Sequence, residues 1–456
     1  MIRTDNPFTG YGPLYLPDNC SVIRMNEAPV IGNIAEAIRQ ALRDPIGSRP
    51  LSEIAASKKA ADPDATAVIL VSDNTRPVPY TGEPGILMPI VDVLLSCGFS
   101  PDEITVLIAT GTHRAMKDDE IRRMLDPRVF ELGLRVVNHD CRDDSKLVNI
   151  GKTRRGTEVM IDSLYMQSDL KIATGLIESH FMAGASGGRK AVCPGVIGEK
   201  TTYLFHGPEL MADPNSRDLL IEGNPVHQES LEVALMAGVD FLANVTLNHR
   251  FEITGLFFGD LQAAHIAGVD FIRSFVGVKV PRRSDIVITN AGFVGINHYQ
   301  CAKCAVASLG VLREGGWLVI LADNTDSGDI VGSLRYKTAL GLLKIFGPEG
   351  YLRAICSPDW TFLPDQWQVQ QWAKVFRRIP MDHLIFFSPQ LTGERFEPVP
   401  GIDGHRFTDA DPGDPDCFAK ALDGALRAIS EAEGRRLGEM DITWIADGPY
   451  VVPHAD

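Results

Sequence analysis

Six short apolar runs recur along the chain: ATAVILV (65–71), ITVLIAT (104–110), DLKIATGLI (169–177), DIVITNA (285–291), WLVILAD (317–323) and HLIFFS (383–388). They show little alternation of polar and apolar positions, the pattern of strands buried on both faces of a parallel sheet. Helix-period patterns lie between many of them, such as GILMPIVDVLLSCG (85–98) and the segment from Gln300 to Arg313. Strand–helix alternation predicts an α/β fold with mostly parallel sheets. The segment 259–280 reads as a helix running into a connector, and a fresh strand–helix–strand unit starts at Asp285. A domain boundary is therefore expected near 270–285, with an N-terminal domain over 1–275 and a second α/β domain over 285–410. A loop rich in Pro, Gly and Asp (390–415) precedes a last helical pattern, and the stretch of about 416–456 is expected to pack back on the first domain. The two domains are expected to enclose an active-site cleft.

Composition narrows the class. At 456 residues, 45% hydrophobic and 23% charged, the chain is long enough to bury a large core without disulfides or structural metal. Its formal net charge of −15 argues against nucleic-acid binding and against docking on anionic membranes. No apolar stretch is long enough for a transmembrane helix, and the N-terminal segment, with its early acid and prolines, lacks the apolar core of a secretory signal. The eight cysteines are widely dispersed, which suits reduced thiols and a cytoplasmic location.

Three of the first-half strands run into polar clusters: VSDNTRPVP (71–79), GTHRAM (111–116) and IESHFMAGASGGRKAVCPG (177–195). Ligands of open α/β sheets bind in the crevice at the carboxyl ends of the strands. Asp73, Thr75, Arg76, Thr112, His113, Arg114, Glu178 and His180 are thus candidates for one cleft. For any single cluster the ordinary alternative is a turn or helix cap. Three clusters at equivalent positions weaken that alternative. The glycine-rich stretch 183–195 suggests a loop whose backbone approaches an anion, but Arg189 stands before Lys190 and Ala191 after it, so it is not a P-loop. No G-x-G-x-x-G follows a strand, and no His pair has metal-ligand spacing. Cys301 and Cys304 form a lone C-x-x-C, which on a buried helix reads as packing. Gln300 and Lys303 share a helix face and could hold a carboxylate.

Taken in order, these fragments resemble the nickel-dependent lactate racemase family: S-D-x-T-R-P at 72–77, G-T-H-R at 111–114, H-x₃-G-x-S-G-G-x-K-x₃-P-G at 180–195, His206 in LFHGPE, Q-x-x-K at 300–303 and D-Q-W-Q at 365–368. The match spans most of the chain. The resemblance implies a nickel pincer nucleotide, a pyridinium mononucleotide with sulfur-containing arms, tethered covalently at Lys190, with His206 as the protein ligand of Ni(II). It implies His113 and His180 as the two acid–bases that racemise a 2-hydroxy acid by hydride transfer. Arg76 and Lys303 would hold the substrate carboxylate, Gln300 and Trp367 would line its pocket, Asp73 would orient an active-site partner, and Asp73 and Thr75 would belong to the cofactor-binding set. Gly187, Gly188 and Arg189 would make room for and contact the cofactor phosphate. Cofactor-biosynthesis proteins are the expected partners in maturation. A 2-epimerase of a longer aldonic or malate-like acid, and a non-catalytic small-anion-binding protein on the same fold, are the competing readings. The Trp-rich stretch 359–372 has a plain alternative, a hydrophobic anchor for the second domain.

Overall fold

The computed structural model describes residues 1–455. The chain forms two compact units. The first comprises Glu27–His206 and Ala212–Ser274; the second comprises Met1–Asn26, Gly207–Met211 and the chain from Phe275 on.

The first unit is built on a six-stranded sheet in the order Ile253–Gly259, Phe241–Leu247, Leu170–Leu176, Ala67–Ser72, Ile104–Ala109, Arg135–Asn138. Every pairing is parallel except that of the Ile253–Gly259 edge strand. Successive side chains of a strand point to opposite faces. Ile69 and Val71 accordingly join Val106, Ile108 and Ile172 on one face, packed under the helix Leu87–Ser96 through Leu87, Ile90, Val91 and Leu94. From Ala67–Ser72 the chain builds outward to Ile104–Ala109 and Arg135–Asn138. It then returns to place Leu170–Leu176 on the opposite side. Such a reversal of strand order opens a crevice at the carboxyl ends, and the first and third polar clusters leave the two strands that flank it.

The second unit holds a six-stranded, wholly parallel sheet in the order Ile402–Asp403, Leu384–Phe387, Leu312–Leu321, Ser284–Asn290, Ile442–Ile445, Cys20–Ile23. Val287, Leu318 and Ile320 face the helices His298–Ser308, Leu334–Ile355 and Gln366–Arg378, while Ile286, Ile288 and Val319 face the helix Cys417–Glu433. This departs from the expected bounds at both ends of the chain. Cys20–Ile23 pairs with Ile442–Ile445, and the last helix buries Phe418, Leu422, Leu426 and Ile429 on the second unit's sheet rather than on the first unit. The pattern from Gln300 to Arg313 also resolves differently: the helix ends at Ser308 and the strand begins at Leu312. No helix among the described residues is long and apolar enough to cross a membrane.

Phe418 ties the two chain ends together. Its ring stacks on Phe8 with centroids 5.0 Å apart and meets Phe387 edge-on at 5.3 Å. Phe418→Ala should cost about 3–5 kcal/mol. It should lower the urea midpoint and expose the first twenty-odd residues to limited proteolysis before the sheet itself is cut.

Candidate active site

The end of strand Ala67–Ser72 is fixed by a relay. The Ser72 N–H donates to Tyr80 Oη (2.8 Å), the Tyr80 hydroxyl to Thr174 Oγ1 (2.8 Å), and the Thr174 hydroxyl to the Leu70 carbonyl (2.7 Å). Directly after it comes Asp73, only 5% exposed. Its Oδ1 accepts from the Thr75 hydroxyl (2.6 Å) and N–H (3.1 Å), and its Oδ2 lies 2.6 Å from His113 Nδ1. Burial alone would raise the Asp73 pKa. The charge and hydrogen bond of His113, with Thr75 and Arg76, outweigh it and hold the carboxyl at about 2. An ionised carboxylate only accepts, so the proton between them sits on His113 Nδ1. Arg76 Nε pairs with Glu178 at 3.0 Å, and its Nη1 donates to the Thr75 carbonyl at 3.0 Å.

The second cluster is anchored to the third. Gly111, at φ +56°, donates its N–H to the Gly195 carbonyl (2.9 Å), and His113 N–H closes a turn on Thr110 O (3.0 Å). Arg114, in contrast, makes a two-pronged ion pair with Glu120 at 2.8 and 2.7 Å. That contact braces its own loop.

In the third cluster Ser179–His180 pairs with Gly184–Ala185 in a tight antiparallel hairpin. His180 is buried, and its Nδ1 accepts the Ala183 N–H (3.2 Å) and the Met182 N–H (3.4 Å). Gly187 and Gly188 adopt φ +69° and +53°, and a Cβ on them would stand 2.6 Å from Asn244 Oδ1 and 2.5 Å from the His265 ring. Asn244 Oδ1 also accepts the Gly188 N–H at 2.6 Å. These glycines permit a close approach to Asn244 and His265. Arg189 is tied into the same loop. It is 1% exposed and turned inward, donating to the carbonyls of Ala185 (2.8 Å) and Ala183 (2.7 Å). It rivets its own loop. A polar Asn in the middle of the buried FLANVTL strand was the available signal for Asn244; nothing local marked His265.

Lys190 follows, partly buried. Burial, then the charges of Arg189 and Arg76, bring its amine down to about 7. His206 is buried, with its N–H on Thr202 O (2.9 Å) and its ring 4.4 Å from that of Phe205. Burial, assisted by the charge of Lys190, pushes its pKa well below the usual imidazole range, so the ring is neutral. Among the described residues no three His, Cys, Asp or Glu side chains gather as a metal cage.

Gln300, Lys303 and Trp367 lie in the second unit. Asn297 caps the helix of Gln300 and Lys303 by accepting the Gln300 N–H at 3.0 Å. Trp367 is 2% exposed and donates from Nε1 to Tyr299 Oη at 2.8 Å, so it joins the helices His298–Ser308 and Gln366–Arg378. Trp372 is an anchor of the same kind, stacked 4.8 Å from His298 and bonded to Tyr336 Oη at 2.8 Å. Cys301 and Cys304 are buried, and their thiols are pushed up, Cys301 to about 12, which makes them packing groups.

Two measurements test these electrostatics. Lys190 should be acylated at neutral pH far faster than ordinary lysines; its rate should rise to a plateau just above about pH 7, while exposed lysines keep rising toward about 10.4, as peptide mapping by mass would read. Asp73, lowered in the folded state, stabilises the fold above about pH 4, and that contribution disappears as pH falls through about 2. Asp73→Asn should therefore be less stable than wild type by about 2 kcal/mol at neutral pH, with the gap closing in strong acid in urea titrations.

Residues 12–218 match the family description "Lactate racemase N-terminal domain". The chain is 31% identical over 426 residues to the lactate racemase of Lactiplantibacillus plantarum, covering 91% of this chain and 90% of that protein. It is also 31% identical to the lactate racemase of Thermoanaerobacterium thermosaccharolyticum over 354 residues, 77% of this chain and 78% of that one. The solved structure of a lactate racemase apoprotein from T. thermosaccharolyticum superposes with a TM-score of 0.79 at 26% identity, covering 97% of both chains. A Thermotoga maritima protein structure shares the fold alone, with a TM-score of 0.61 at 16% identity over 89% of this chain and 98% of that one. With this α/β architecture and that similarity over nearly its whole length, the chain belongs to the lactate racemase family and is an isomerase of the racemase type.

Proposed function

We propose that this enzyme is a nickel pincer nucleotide-dependent racemase or epimerase of a small 2-hydroxy acid, with lactate as the first candidate because its relatives bear that name. The observation that carries the reading is the pair Lys190 and His206. A lysine brought down to about 7 offers a neutral, nucleophilic amine at working pH, as a covalent tether requires. A buried histidine that stays neutral is in the form that binds a metal. Soft sulfur donors with one imidazole suit square-planar Ni(II), so His206 would be the protein's donor to a metal whose remaining ligands come from the cofactor. When bound, the group would supply the metal and a pyridinium able to accept hydride.

The chain's own residues handle the proton and the charge. The Cα–H of a 2-hydroxy acid is weakly acidic beside a carboxylate, so hydrogen leaves more easily as hydride once the hydroxyl proton is removed. His113 and His180 are the bases for that proton, one for each enantiomer, and imidazole basicity lies near working pH. Asp73, fixed by Thr75, orients His113 and stabilises its protonated form. Arg76 is the cation for the substrate carboxylate, with Glu178 on its Nε edge holding the guanidinium plane in place. For Gln300, Lys303 and Trp367 a substrate-binding role rests on the motif match. The protein's partners are its substrate and the enzymes that make and load the nucleotide.

The test is a screen of 2-hydroxy acid enantiomers on protein co-expressed with the cofactor-biosynthesis enzymes, read by chiral chromatography. Lactate or a close homologue should racemise. Lys190→Ala should lose the added cofactor mass. His206→Ala should keep the mass and lose nickel. His113→Ala and His180→Ala should each slow net racemisation about 10²–10⁴-fold in both directions. Fully loaded protein that racemises no 2-hydroxy acid, or nickel content unchanged in His206→Ala, would sink the proposal.

A further inference from the structure

The two histidines are held by opposite kinds of partner. His113 Nδ1 faces a carboxylate oxygen of Asp73 at 2.6 Å, which can only accept. His180 Nδ1 faces two backbone N–H groups, of Ala183 at 3.2 Å and Met182 at 3.4 Å, which can only donate. A proton on His113 Nδ1 is favoured, and a proton on His180 Nδ1 would point at those amides. The Ser179–His180 and Gly184–Ala185 hairpin fixes the amides, and the His180 ring is further held against Phe181, centroids 5.0 Å apart.

We infer that the resting enzyme keeps its two acid–bases in opposite neutral tautomers, with the Nε2 lone pair on His113 and the Nε2–H on His180. The Met182 and Ala183 amides and the Asp73 carboxylate are the positioning groups that set this asymmetry. The inference rests on reading His113 and His180 as the acid–base pair, and gives the pair a direction. The enantiomer whose hydroxyl meets His113 reacts from the resting protein. Its O–H proton would form the new N–H bond at Nε2, leaving an imidazolium paired with Asp73, and the bound cofactor would supply the hydride acceptor for the Cα hydrogen and its electron pair. The mirror-image substrate meets an Nε2 that already bears a proton. It must wait until His180 gives up its amide bonds or turns its ring to expose a lone pair.

The tautomers are read on uniformly ¹⁵N-labelled apoprotein at neutral pH, by long-range ¹H–¹⁵N correlation of the imidazole rings. The chain has eleven histidines, and His113→Gln and His180→Gln spectra assign the two signals. His113 should show the pattern of a protonated Nδ1 and His180 that of a protonated Nε2. Asp73→Asn, which can turn an amide N–H toward the ring, should shift the His113 signal toward the Nε2–H form and leave that of His180 in place. One tautomer common to both rings, or a protonated Nδ1 on His180, overturns the inference and leaves the proposed function standing. On loaded protein, single-turnover absorbance should then show one enantiomer reacting roughly tenfold faster than the other, the cost of breaking the His180 amide bonds. Equal rates would overturn the directional part. Loaded protein inert to every 2-hydroxy acid would instead overturn the function, with the apoprotein tautomers unaffected.

Discussion

The site depends on one constraint, the parallel pairing of Ala67–Ser72 with a strand on each side. Parallel strands end on the same edge of a sheet, so the three segments that leave Ala67–Ser72, Ile104–Ala109 and Leu170–Leu176 emerge together. Cross-links then remove their freedom. The Ser72–Tyr80–Thr174 relay joins the first strand to the third, and the Gly111 N–H to Gly195 carbonyl bond joins the second segment to the third. His113 can reach Asp73 at 2.6 Å because both stand on segments pinned at their roots. Sites placed on rigid elements in this way hold their geometry without a ligand to organise them.

Much of this was legible in the sequence because buried strands announce themselves. All six apolar runs became strands of the two sheets, and the polar clusters after three of them carry Asp73, His113 and His180. Cys20–Ile23 was not legible. Four residues with two exposed positions carry no pattern, and the partner strand lies at the other end of the chain. The placement of the last helix was hidden for a related reason: its apolar stripe says that it packs, and the sheet it covers is set by tertiary contacts. Within the site, residue type is easier to read than the contacts each residue makes. Arg189 and the adjacent glycines also shape their own loop. Arg189 satisfies carbonyls, and Gly188 has no space for a side chain beside His265. A motif records that a residue type is needed, and only packing says for what.

The energetics of the loop 183–190 show why that distinction matters. Arg189 is fully buried, and its hydrogen-bond partners there are neutral carbonyls and the His265 ring, so its charge is stabilised by dipoles while desolvation works against it, lowering its pKa to about 9. The next residue, Lys190, then meets a low-dielectric surrounding that already contains a cation, with Arg76 nearby. Two adjacent basic residues thus differ through their environment: the guanidinium, hard to deprotonate, keeps its charge and shapes the loop, and the amine, brought down to about 7, holds its proton far less firmly than an ordinary lysine.

That division has a thermodynamic sign. An amine lowered from 10.5 to about 7 on folding disfavours the folded state wherever the unfolded chain would be protonated and the folded chain is not, or is so only at a cost. The penalty is fully present below about pH 7 and fades as pH rises toward 10.5, and it is on the order of several kcal/mol. The chain therefore carries a local destabilisation at its proposed tether for as long as the nitrogen remains basic. Any covalent attachment that makes the nitrogen non-basic removes the penalty. The same desolvation that lowers the Lys190 amine would then favour the attached over the free state.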